Sequence, residues 1–487
     1  MSGLEGACVV DQVNGWVLSE LPALNRDILA GRCDSGALGA RFVEDVLPYL
    51  PMPDSLSTQG AEQMVVLLGL IGASLSRHYQ ERYRDEIGTP EKAFEPYRIG
   101  ASGTPFRSYF ASMADRTGTG HCHRDSYASL TRWNVPTTEV WWAGERLAVL
   151  KGSFDDGKIR TYTGTPEEQS FFELIKLSEA IELAINTALL PLSEGTCDMR
   201  SEQASHRTGL SIMLLVELRR FNEAYARLSA SEGLSADYFM DVFRQYAVHW
   251  TVEDIPPSGA LDPEWIVRDY LFGIRTPAHE AHTARLRPAL LTEERNKIDR
   301  VASRSSLPEQ MLDALGLDSQ QMAAMSPEQL RDLLRRFPIV ARMYLLLTAH
   351  LRMSGVHLKI AKKYLFTPQR QREQEGLGDS GVVSNRAGTT GMDETYLKDL
   401  TRARQHHLLS CLQVIGNEVR TFARLDEFDG DVPASVDDLL KYADRSTTYS
   451  PPIEALVRMQ KVHEDDETPV LVGPSGGRLS VGLEEQR

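Results

Sequence analysis

The feature that most constrains this chain is a helical hydrophobic period that runs, with short breaks, from residue 166 to about residue 366. Apolar residues recur there at three- and four-residue spacing, the stripe that an α-helix must bury. Breaks fall near 192–207, 231–236, 253–263, 275–291 and 303–308. Ser326, Pro327 and Gln329 read as one helix start, and Thr165, Pro166 and Glu168 as another: N-cap, first-turn proline and capping-box acid. So long a run can bury its stripes only helix against helix, so the expected fold is mostly α. Bundles of this size build ligand sites between facing helices.

Outside that run the pattern is mixed. Residues 15–50 read as short amphipathic helices ending at "LPYLPMP", and 57–88 as a longer helix. Residues 90–120 read as irregular, and 124–133 as one more helix. The period then changes: "TTEVWWAGERLAVLKGSFDDGKIRTYTG" (137–164) is rich in β-branched and aromatic residues, with Asp156-Gly157 as its turn signal. The expected organisation is a smaller helical domain over 1–136, a β-rich insertion over 137–164 and a large helical domain over 165–425. A mobile polar loop is expected at 369–392, and a partly disordered extension over 426–487.

Composition narrows the function classes. A formal net charge of −15 opposes binding to phosphate backbones, which argues against a nucleic-acid partner. The longest apolar run, "MVVLLGLIGA" (64–73), is too short to span a bilayer and reads as a buried helix. Five scattered cysteines without a C-x-x-C pair fit a reducing, cytoplasmic setting better than a disulfide framework.

The stretch "MSGVHLKIAKKYLFTP" (353–368) carries the chemistry. On a helix at about 100° per residue, His357 shares a face with Met353, Ser354, Ile360, Ala361 and Tyr364, and Lys359, Lys362 and Lys363 fall opposite. His350 lies on nearly the same line two turns earlier. Such a histidine is either a core residue bonded to a carbonyl or a neutral imidazole ligating a metal or haem iron from an apolar wall. Periodicity does not choose between the two readings, or between His357 and His350. Gly355, off this face, is a costly helix residue whose presence points to a close approach. Elsewhere, "HCHRD" (121–125) offers His121, Cys122 and His123, but neighbouring residues on a strand point to opposite faces and rarely share one metal, and "HEAH" (279–282) lacks the spacing of a helical zinc motif.

"HLKIAKKYLFTP", followed by a polar loop and "AGTTGMDETYLKDL", resembles the C-terminal part of the indoleamine 2,3-dioxygenase family, in a superfamily that also includes monodechloroaminopyrrolnitrin synthase. The resemblance implies a helical haem-binding bundle with His357 as the proximal ligand of haem b iron. It also implies a substrate loop over Gly388, Thr389, Thr390 and Gly391, with Tyr364 beside the cofactor. "YFMDVFRQYAVHW" (238–250) is similar to the family helix carrying a distal phenylalanine and a carboxylate-binding arginine, placing these on Phe239 and Arg244. "SFFELIKLSEAIELAI" (170–185) is similar to the distal helix, placing Phe171 over the haem. Ser258, Gly259 and Ala260 match a Ser-Ala-Gly turn at the haem edge loosely. The implied activity is insertion of O2 into the indole ring of L-tryptophan or a tryptophan-like substrate, with an N-formylkynurenine-type product. Ile175 stands where many members have serine, and Thr390, Met392 and His249 also depart from the family pattern. These changes keep two alternatives open: a haem enzyme of specialised metabolism that rearranges or mono-oxygenates an aromatic amino acid, and a non-catalytic haem or ligand carrier.

Overall fold

The computed structural model describes residues 2–84, 89–119, 123–229, 233–378 and 381–443. His121, Cys122 and the tail after residue 443 lie outside the described residues. The chain is mostly helical, as the hydrophobic period predicts. Three long helices, Pro166–Ser193, Glu202–Arg227 and Pro338–Ala361, pack side by side. Their shared core includes Ile181 and Ile185 of the first, Leu214 and Leu218 of the second, and Met343 and Leu346 of the third. Burying each such side chain contributes about 1.5–3 kcal/mol. Shorter helices, Pro263–Leu271, Pro277–Leu286 and Glu394–Gln405, close around one end of the bundle. Among the described residues no helix is long and apolar enough to cross a membrane.

A second core lies under the helices Ser2–Leu29, Thr58–Arg82 and Phe106–Arg116. Ser57 caps the middle one by accepting the Gly60 N–H, and its apolar run 64–73 is buried throughout. The helix Phe106–Arg116 corrects the irregular reading of 90–120. Phe106, Tyr109, Phe110, Met113 and Ala114 are buried along one face, a stripe too short and too aromatic to stand out against the surrounding glycines and prolines. Trp250 joins this core, packing against Phe94, Phe106 and Phe110. It also lies flush on Gly72, where an added Cβ would meet the indole at 2.4 Å.

The β insertion forms, but with a different turn. Strands Thr138–Trp142 and Glu145–Leu150 pair antiparallel, with Ala143 and Gly144 at positive φ between them. Asp156-Gly157 falls in the irregular stretch beyond. The third strand, Leu440–Tyr442, pairs with Thr138–Trp142, so the C-terminal extension ends its described part in a sheet. The Tyr442 hydroxyl donates to the buried Glu173 carboxylate at 2.9 Å. The capping box expected at 165–168 does not form. Thr165 is the N-cap without a side-chain cap bond, and Glu168 instead accepts the Thr163 N–H and the Tyr238 hydroxyl. The box at Ser326 and Gln329 is present. Residues 369–374 of the expected loop belong instead to the helix Thr367–Gln374, fastened by Arg372 to Asp237 and Asp241. Nothing approaches the Cβ position of Gly355, so no close contact accounts for that glycine.

Two stability measurements follow. Gly72→Ala forces a methyl against Trp250 and is expected to cost about 1–3 kcal/mol in urea unfolding. Burial pushes the Glu173 carboxyl up to about 8, against the opposing Tyr442 hydrogen bond. Between the ordinary carboxylate range and that value the folded chain holds a proton that the unfolded chain has lost, so stability falls as pH rises through the window. Glu173→Gln removes this slope: thermal melts are expected to match wild type near pH 5 and to exceed it near pH 8.

Candidate functional site

Two cavities, of about 220 and 240 Å³, lie at the end of the bundle enclosed by the shorter helices. Both are lined by His357, Phe171, Ile175, Tyr127, Gly259, Ala260, Ile360, Met392 and Leu397, which makes them one continuous space. Three π-helical turns wrap the second cavity: Ala128–Trp133, Phe239–Phe243 and Lys362–Phe366. The last has a local cause. Pro368 offers no N–H to the carbonyl four residues back and crowds it, so the helix widens ahead of the proline. Such turns gather at functional sites.

The two rival histidines have opposite environments. His350 is 1% exposed. Arg268 Nε donates to its Nδ1 at 3.2 Å, so Nε2 carries the proton and donates to Asp269 Oδ1 at 2.8 Å. Arg404 grips the same carboxylate with two bonds, of 3.0 and 2.6 Å. Burial alone would raise Asp269; Arg404 and His350 more than reverse that and hold it well below the usual carboxylate range. His350 is thus a fully satisfied core residue. His357 faces the cavity, and among the described residues neither of its ring nitrogens has a hydrogen-bond partner. Its contact is the Trp265 indole, edge-on at 5.4 Å. Burial first, then the Arg404 charge, push its pKa down to about 4, so the imidazole is neutral at pH 7. The Arg268 and Arg404 guanidiniums lie over the Trp265 ring, at 5.0 and 5.2 Å from its centroid.

The second cavity is an aromatic box. Phe171 lies 5.6 Å from Phe239 and 5.0 Å from Phe243, and Phe239 lies 6.2 Å from Tyr364. Tyr364 is buried with no partner for its hydroxyl among the described residues, and burial pushes its pKa up to about 12. Ser258 caps the turn Gly259–Leu261, its hydroxyl accepting the Ala260 N–H at 3.3 Å. Asp262 next caps Pro263–Leu271, accepting the Glu264 and Trp265 N–H groups, and this sequence of turns brings Gly259 and Ala260 to the cavity wall. Arg244 also lines this cavity, buried, with its Nη2 donating to the Ser384 and Ala387 carbonyls.

The structure therefore brings His357, Phe171, Ile175, Phe239, Arg244, Ser258, Gly259, Ala260, Tyr364, Gly388 and Thr389 to one space. Thr390 and Gly391 do not line it; the Thr390 carbonyl instead accepts from Arg285. Sequence reasoning missed Trp265, Asp269, Phe243, Tyr127 and Arg404. It also set aside "HEAH", yet His279 and His282 both line the first cavity beside Tyr396. Burial first, then Arg285, push His282 down to about 4. Among the described residues no group of three or more metal-ligating side chains is assembled. No protein-family model and no curated protein matches this chain.

The contrast between the histidines is measurable. His350→Ala, which strands Asp269 and Arg268, is expected to cost about 2–4 kcal/mol in chemical unfolding. His357→Ala is expected to change the stability of the ligand-free protein by less than about 1 kcal/mol.

Proposed function

We propose that this chain is a haem-dependent oxygenase of the indoleamine 2,3-dioxygenase type, acting with O2 on L-tryptophan or a tryptophan-like small molecule. The observation that carries this reading is a neutral His357 whose ring nitrogens have no partner among the described residues, facing an apolar cavity, while its rival His350 is tied to Asp269 and Arg268. The order and spacing of the family-like segments support it as well, since their residues converge on the same space.

The side chains fit the demands of a haem b site. A neutral imidazole on an apolar wall is the donor that the iron needs, and His357 would supply it. Tyr364, whose hydroxyl at the wall has no partner among the described residues, would border the group, as would Gly259 and Ala260. Bound haem supplies the activation of dioxygen towards the electron-rich indole double bond. Phe171, Phe239 and Phe243 would hold a flat ring by edge and face contacts and keep water away. Arg244 carries the planar fork suited to an amino-acid carboxylate. Ile175 specifically favours a second reading, a rearranging or mono-oxygenating haem enzyme. It sits where both cavities meet and offers no hydroxyl to a bound ligand.

The purified protein should be red with a Soret band. His357→Ala should abolish haem uptake, and His350→Ala, where it folds, should keep it. A colourless protein that takes up no added haem would end the proposal. Under reducing conditions with L-tryptophan, absorbance of N-formylkynurenine separates ring cleavage from the second reading.

A further inference from the structure

Ser178, Glu182, Asn222 and Asp262 line the first cavity only, while Arg244 and Phe239 line the second only. Ser178 and Glu182 follow Phe171 and Ile175 along one face of the helix Pro166–Ser193, at three- and four-residue spacing. This end of the cavity is rich in hydrogen-bond acceptors. Both N–H groups of the Asn222 amide are committed, to the Ser178 hydroxyl at 3.1 Å and the Leu218 carbonyl at 3.0 Å, which leaves its carbonyl oxygen. Asp262 Oδ1 takes the Glu264 and Trp265 N–H groups. Glu182 is 1% exposed, and its Oε2 meets no N–H or hydroxyl donor among the described residues. Its Oε1 faces Arg268 Nη2 at 3.5 Å.

Charge is unbalanced in the same direction. Around Glu182 stand Asp262 and Arg268 of the neighbouring helix and its cap, Glu179 one turn back, and the Tyr127 phenol. Arg132 meets Glu179, so Glu182 and Asp262 are two carboxyls to one guanidinium. Among the described residues Arg404 is the one arginine or lysine on the wall of this cavity, and Asp269 holds it. Two carboxyls buried side by side do not both ionise, so the pair keeps a proton. We propose that this end of the first cavity is a site for the ammonium group of a small organic amine, with Glu182 as its counter-charge. The site needs no haem and goes beyond the function proposed above. An ammonium brings several N–H donors and one positive charge to acceptors that lack both. Leu174, Ile175, Leu286 and Met353 on the adjoining wall suit a hydrocarbon body more than a hydrated metal ion. The exchange balances: the ammonium enters with its charge, and the proton shared by Glu182 and Asp262 leaves to solvent.

Calorimetry on the full chain as purified tests this with three probes of one shape: 2-phenylethylamine, 2-phenylethanol and ethylbenzene. The amine should bind about tenfold more tightly than either neutral probe, the gain expected of one charge-assisted hydrogen bond. Near pH 7, amine titrations in two buffers of different ionisation heat should show release of about one proton per amine, and the neutral probes none. Glu182→Gln keeps the shape and removes the charge. It should lower amine affinity about tenfold, leave the neutral probes unchanged and abolish the proton release. Where that variant does not fold, the three probes and the proton count in the wild-type protein decide. Equal affinity for the amine and the alcohol overturns the inference. So do amine binding without proton release, amine binding unchanged in Glu182→Gln, and the same proton release on adding potassium chloride alone. Haem uptake is read separately from the Soret band, so failure of the function proposed above and failure of this site are told apart.

Discussion

One buried carboxylate organises the site. Asp269, on the helix Pro263–Leu271, is held by Arg404 from Glu394–Gln405 and by His350 from Pro338–Ala361. Three helices are thereby joined at a single point in the interior. Breaking such a pair by removing one partner is costly, because the charge left behind cannot reach water. The bond also fixes the rotation of the long helix about its axis, and two turns further on that rotation delivers His357 to the cavity. Trp265, one turn before Asp269, is set edge-on against His357 by the same constraint.

The rest of the site is arranged around that fixed point. Its wall is apolar around Phe171, Phe239 and Phe243 and polar where Asp262 and Glu182 border the first cavity. Burial and the neighbouring Glu182 push Asp262 well above the usual carboxylate range. Beyond burial, the charge that acts on His357 is that of Arg404, and Asp269 meets it with two hydrogen bonds. A neutral imidazole beside a cation is a poor base, and this environment is suited to ligation more than to proton transfer.

Much of this was legible in the sequence, for physical reasons that differ from residue to residue. Helical content and the apolar face of His357 follow from periodicity, which depends on burial alone. The choice between His357 and His350 does not, because it rests on Arg268 and Asp269, some eighty residues away, and only packing reveals which ring is paired. Asp156-Gly157 is the better turn by propensity, but the register Thr138↔Leu150 places the turn at Ala143 and Gly144. Glu168 has the position of a capping-box acid, yet Thr163 and Tyr238 outcompete the N-cap for it. His279 and His282, three apart on the helix Pro277–Leu286, share one face, but that spacing alone does not say that the face lines a cavity.

The sheet carries a consequence for how the chain is made. Its middle strand, Thr138–Trp142, takes its second partner from Leu440–Tyr442, roughly three hundred residues later, so on the ribosome the hairpin is finished long before its covering strand exists. Through that interval Thr138–Trp142, with its two tryptophans, presents unpaired backbone groups to whatever lies nearby. Nascent or truncated chains that end before Leu440 therefore share one exposed edge, and it is there that they would first stick to one another.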